Sequence, residues 1–140
     1  GGYAAWALIT GCAPQAYFGF DWYRGEAGFQ SRLYEWAKKI IVETGIPYFK
    51  LVRLDLQRMS GFPRSDFYHV DGDHTLHGVY RDLVLAFASL DPGGRILVDD
   101  YDFIYDVRIA VDTFCEERAP LIEKRYIPSF RGDMLIRKKS

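Results

Sequence analysis

Two short runs hold the residues most able to do chemistry. In "DFYHVDGDHTLHGVYRDL", residues 66–83, an apolar run opens into Asp71-Gly72-Asp73-His74, and in "RILVDDY" another opens into Asp99-Asp100. Four carboxylates brought together repel and raise one another's pKa unless a cation sits among them. An all-oxygen donor set suits Mg²⁺, Mn²⁺ or Ca²⁺ better than zinc. Single aspartates end strands and start turns routinely. A matched pair of strand-to-acid junctions separated by one helix points instead to function. His74 and His77 are spaced to share a helix face, but no cysteine or third histidine nearby completes a zinc set. His74, at the mouth of the crevice, reads as a substrate contact, and His69, inside the apolar run, as a core residue.

The elements that must position these residues alternate between strand and helix. "FYHV" (residues 67–70) reads as a strand, and Leu76, Val79, Tyr80, Leu83 and Phe87 mark one helix face that ends before "DPGG". "RILV" (residues 95–98) is the next strand. A right-handed crossover makes the two strands parallel, so both end on one sheet edge, where open α/β sheets bind ligands. Upstream, residues 3–10 read as a helix behind Gly1-Gly2, "AYFGF" as a strand ending in Asp21, Phe29 to Ile41 as a helix stopped at Gly45-Ile46-Pro47, and "YFKLVRL" as a strand ending at Asp55. Downstream, Val107, Ala110, Val111 and Phe114 sketch a helix. Residues 121–127 and 134–137 read as two strands joined by a turn at Arg131-Gly132-Asp133. The expectation is one α/β domain over residues 1–140, with a Rossmann-like, doubly wound, mostly parallel sheet and an antiparallel C-terminal hairpin.

Composition bounds the function. The 140 residues are 49% hydrophobic and 26% charged, which allows one packed core and excludes a disordered chain. A net charge of −1 disfavours nucleic acid as a partner, and Arg137-Lys138-Lys139 reads as a solvated tail. No apolar run approaches the roughly 18 residues of a membrane span. Cys12 and Cys115 form no Cys-x-x-Cys pair, so a reducing, cytoplasmic setting is expected.

Gly1-Gly2 before a helix, followed by a strand and Asp21, has the form of the second part of a nucleotide-binding βαβ unit. There the glycines permit close backbone approach and the strand-end acid takes ribose hydroxyls. Together "GGYAAWAL", "YFGFD", "DFYHVDGDHTLHGVYRDL", "LDPGGRILVDDY" and "VRIAVDTF" resemble the class I S-adenosylmethionine-dependent methyltransferases, and among them the metal-dependent, macrocin-type O-methyltransferases of sugars and natural products. The resemblance implies a reaction: methyl transfer from S-adenosylmethionine to a small-molecule hydroxyl, assisted by Mg²⁺ or another divalent cation. It implies that Gly1, Gly2, Asp21 with the adjacent Trp22, Asp55, Leu56 and Asp71 border the cofactor. Asp71, Asp99 and Asp100 would hold the metal, and Asp73 would be the general base. Tyr101, Phe103 and Tyr105, which follow the metal-binding acids, read either as lining of the acceptor pocket, with Tyr101 a substrate contact, or as ordinary aromatic packing.

Against that family the chain departs in three ways. The strand expected before "GGY" is not in the sequence, so the chain reads as N-terminally truncated, and the upstream helices that shape the acceptor pocket and often a homo-oligomer are also missing. The lysine of catechol-type relatives has no counterpart, which favours Asp73 as base. "FYHVDGDHT" also fits the Asp-x-Asp pattern of haloacid-dehalogenase-like phosphatases, with Asp71 as nucleophile and Asp73 as acid–base, but the lysine those enzymes place between their acidic sites is absent. A Rossmann dehydrogenase leaves the acidic cluster unexplained. A cofactor-binding domain without activity is the non-enzymatic alternative.

Overall fold

The computed structural model describes residues 11, 14–21, 29–53 and 58–140. The chain falls into two compact units, residues 1–58 and residues 59–140.

In the first unit, β1 (Ala16–Asp21) and β2 (Tyr48–Arg53) pair in parallel, from Ala16 opposite Tyr48 to Asp21 opposite Arg53. The crossover is α1 (Phe29–Glu43). Gly45, at φ 69°, ends it in the left-handed conformation that glycine adopts without a Cβ penalty, while its N–H donates to Val42 O and the Thr44 hydroxyl to Ile41 O. Ile41 is fully buried, packed on by Tyr17, Ile46, Phe49 and Leu51.

The second unit is built on a four-stranded sheet in the order β3-β4-β6-β5, from β3 (Ser65–Val70), β4 (Leu90–Val98), β5 (Ile122–Ile127) and β6 (Asp133–Lys138). β3 and β4 are parallel, and β6 runs antiparallel to both β4 and β5. The parallel β-α-β units and the antiparallel C-terminal hairpin are as the sequence led us to expect. β6 inserts between β4 and β5, a placement that sequence order does not reveal.

Two helices cover this sheet. α2 (Leu76–Ser89) starts at Thr75, whose backbone is extended and whose side-chain oxygen accepts the Gly78 N–H at 3.1 Å. α3 spans Tyr105–Glu117. Leu83, Val107, Val111 and Phe114 from the helices meet Val98, Ile96 and Ile136 from the sheet in one buried core. Phe87 and Tyr80 pack edge-on against Phe114 at centroid distances of 5.7 and 6.4 Å. No helix among the described residues is long and apolar enough to cross a membrane.

One boundary differs from the sequence reading. The sequence reading starts β4 at Arg95, after Asp91-Pro92-Gly93-Gly94, yet pairing with β3 already begins at Leu90, opposite Ser65. The register then jumps to Phe67 opposite Arg95, so the segment is an irregularity inside β4. Gly94 allows it, because a Cβ there would lie 2.8 Å from the Asp66 carbonyl oxygen.

Candidate active site

Val70 pairs with Val98, so the chain leaves β3 and β4 side by side, and the Asp99 N–H donates to the Val70 carbonyl at 3.1 Å. This local geometry brings together most of the acids that the sequence singles out. Ligand atoms of His69, Asp71 and Asp99 lie within 4.8 Å of one another, as do those of Asp71, His74 and Asp100. His74 Nε2 is 3.4 Å from Asp71 Oδ1 and 3.7 Å from Asp100 Oδ2, and it has no hydrogen-bond partner.

Asp100 is the buried member, at 1% exposure, and holds a left-handed backbone with φ 60°, uncommon for a residue with a side chain. Its N–H donates to Asp99 Oδ1 at 2.8 Å, and its carbonyl accepts from Phe103 and Ile104. Both its carboxylate oxygens accept from Arg131 Nη1, at 3.1 and 3.2 Å.

Arg131 reaches the site because β6 begins where β4 ends, with Met134 opposite Val98. The β5–β6 turn is tied to the acidic loop by Tyr101 N–H to Gly132 O at 2.8 Å and Asp102 N–H to Arg131 O at 3.1 Å. The same turn brings in Asp133, whose carboxyl is pushed up, first by burial and then by a hydrogen bond shared with Asp99. The unpartnered His74 Nε2 faces Asp71 and Asp100, an arrangement of acids and imidazole able to take a cation. Asp71 is common to both groups, and with either Asp99 or Asp100 it offers two carboxylates beside one imidazole, donors a divalent cation accepts.

Asp73 belongs to neither group of converging ligands. Its Oδ1 accepts the Thr75 N–H at 3.0 Å, and its carboxylate lies against Gly78 on the first turn of α2. His77 is exposed on α2, whereas His74 precedes the helix, so the pair does not share a helix face. His69 is half-buried and faces Asp71 and Asp99, not the apolar interior. Tyr101 donates its hydroxyl to Asp112 on α3 at 3.0 Å, and its pKa is pushed up to about 12 by burial and by that acid. Phe103 and Tyr105 are exposed.

Of the residues expected to border the cofactor, Gly1, Gly2, Trp22, Asp55 and Leu56 lie outside the described residues. Asp21 ends β1 directly opposite Arg53, the last residue of β2. Sequence reasoning missed Arg131 and Asp133. Only the pairing of β6 with β4, which sequence order does not reveal, sets them beside Asp99.

A shallow depression lined by Phe62, Arg64, Leu90, Asp91 and Pro92 lies where β3 and β4 begin, at the opposite end of these strands from the acids.

Comparison with known proteins agrees with this architecture. Residues 2–101 match the methyltransferase domain family. No curated protein matches the sequence. The fold is similar to that of the O-methyltransferase TomG from Streptomyces achromogenes in complex with SAM, at 14% identity and a TM-score of 0.59, covering 99% of this chain and 79% of that one. It is similar to an O-methyltransferase from Bacillus cereus in complex with SAH, at 13% identity and a TM-score of 0.58, over 99% and 80% of the two chains. The SAH-bound methyltransferase PaMTH1 from Podospora anserina is 15% identical with a TM-score of 0.59, over 99% and 78%. With the family matched over residues 2–101, the chain belongs to the methyltransferase domain family, and it shares the fold of these O-methyltransferases.

Proposed function

We propose that the protein transfers a methyl group from S-adenosylmethionine to a hydroxyl of a small molecule, a sugar or natural product, with the assistance of Mg²⁺ or another divalent cation. The observation that carries this reading is the meeting of Asp71 with His69 and Asp99, and of Asp71 with His74 and Asp100, at the ends of two parallel strands. The likeness in fold to O-methyltransferases supports the hydroxyl as acceptor. When bound, the donor supplies an electrophilic methyl group and the cation supplies the charge that favours an ionised hydroxyl.

The residues divide the remaining work. Asp71, Asp99 and Asp100 would hold the cation, and Gly1, Gly2, Asp21, Trp22, Asp55 and Leu56 the donor, with Asp71 at its border. Asp73 would accept the acceptor's proton. Holding donor and acceptor in attack geometry would supply much of the rate. A second reading gives the proton to His74, because Asp73 Oδ1 is engaged by Thr75 while His74 Nε2 has no partner and faces the acids. The residues act as one methyltransferase-like domain in the cytoplasm.

Calorimetric titration of S-adenosylhomocysteine with Mg²⁺ present tests the reading. Binding in the micromolar range is expected, and no binding by a cooperatively melting chain would sink it. Asp73→Asn and His74→Gln then separate the two bases: the true one lowers turnover about 10²–10⁴-fold with cofactor affinity nearly intact.

A further inference from the structure

We infer that Arg131 is a recognition arm for a carboxylate on the acceptor, which makes the substrate a hydroxy acid; this rests on the methyl-transfer reading above. The guanidinium is fixed in place before any ligand arrives. One nitrogen, Nη1, bonds both oxygens of Asp100, which is 1% exposed and locked by its own backbone contacts. The residue's carbonyl is tied to the Asp102 N–H, and the guanidinium carbon lies 4.9 Å from the centre of the Phe103 ring. Phe103 is itself 65% exposed, so this support faces solvent.

Arg131 is nonetheless half-exposed, with 49% of its side chain accessible. Among the described residues, its Nε and Nη2 have no partner. An arginine whose rotamer freedom is already spent, with a planar donor edge open, is preorganised for a two-oxygen anion. An arginine serving Asp100 alone has no use for that open edge.

The surrounding charge narrows the anion. Asp71, Asp99, Asp100 and Asp133 crowd the same loops, so a free anion is repelled. A monoanionic carboxylate is repelled less than a phosphate dianion, and its two oxygens match the open edge. It gains most when it belongs to a molecule whose hydroxyl enters the acidic cluster. The acceptor therefore presents a hydroxyl and a nearby carboxylate together.

The test compares 3-hydroxybenzoate with 3-hydroxybenzamide, titrated into the full chain with Mg²⁺ and S-adenosylhomocysteine, following the ¹⁵N–¹H signal of Arg131 Nε. The acid is expected to shift that signal and to bind about tenfold or more tightly than the amide. Arg131→Met should erase the preference. Arg131→Lys keeps a cation beside Asp100 but removes the fork, so it too should lose most of the preference with S-adenosylhomocysteine binding unchanged. Equal binding of acid and amide, no binding of the acid, or a preference that survives in both variants overturns the inference. Loss of S-adenosylhomocysteine binding in the wild-type chain overturns the methyl-transfer reading instead.

Discussion

The Asp73 carboxylate lies on α2 where residue 78 has no side chain: a Cβ on Gly78 would sit 2.5 Å from Asp73 Oδ2 and 2.6 Å from its Cγ. Gly78 therefore keeps the space in which Asp73 is docked. Replacing it with alanine pits two effects against each other. Alanine favours a helix by about 1 kcal/mol over glycine, while displacing Asp73 loses a hydrogen bond worth about 1 kcal/mol. Gly78→Ala should leave chemical-denaturation stability within about 1 kcal/mol of wild type. If Asp73 is the base, turnover should nevertheless fall by about tenfold or more. Normal turnover in this variant alongside an inactive Asp73→Asn would show that docking against Gly78 does not position the acid.

The acidic cluster should report a cation directly. Manganese at about a hundredfold excess over its Kd should stabilise the wild-type chain by about 2.7 kcal/mol, read as a rise in Tm, and a chelator should reverse it. Asp99→Asn and Asp100→Asn should each weaken Mn²⁺ binding about tenfold or more, measured by electron paramagnetic resonance of the free ion. Unchanged Mn²⁺ affinity in both variants would remove these acids from the metal site.

Asp82, on α2, is 3% exposed, and one carboxylate oxygen has no hydrogen-bond partner. Burial, only partly offset by Arg81, pushes its pKa up from 3.8 to about 6, with Asp73 adding to the rise. A carboxyl raised in the folded state favours folding at low pH and works against it as pH rises through the folded value. Asp82→Asn should therefore be more stable than wild type above about pH 7, by on the order of 2 kcal/mol. The gain should fade as pH falls through 6 and vanish below 4. Urea melts of both proteins across that range check it, and a difference independent of pH would contradict the burial account.

Phe114 is fully buried beneath Phe87 and Tyr80 and joins α3 to α2. Phe114→Ala should cost about 3–5 kcal/mol, the loss of transfer energy plus a cavity that the packed rings cannot fill. Phe130, by contrast, is 99% exposed, so Phe130→Ala should change stability by less than about 0.5 kcal/mol. The same urea melts distinguish the two.

Hydrophobic periodicity determined much of this protein by itself. The apolar runs at Ala16, Tyr48, Phe67 and Arg95, and the helical spacing from Leu76 to Phe87, yield the β-α-β order, because burying an apolar face obeys the same local repeat wherever the element ends up. Parallel strands joined by a crossover helix must end on one edge, so the meeting of Asp71 with Asp99 and Asp100 was legible before any coordinates. Asp73 shows where that logic stops. Its position beside Asp71 is sequence; its docking on Thr75 and Gly78 is a local hydrogen bond and a space left by a missing Cβ. The recruitment of Arg131 and Asp133 was decided by tertiary structure alone. It depends on β6 inserting antiparallel between β4 and β5, and strand order in a sheet is set by long-range packing and backbone pairing that no local repeat encodes.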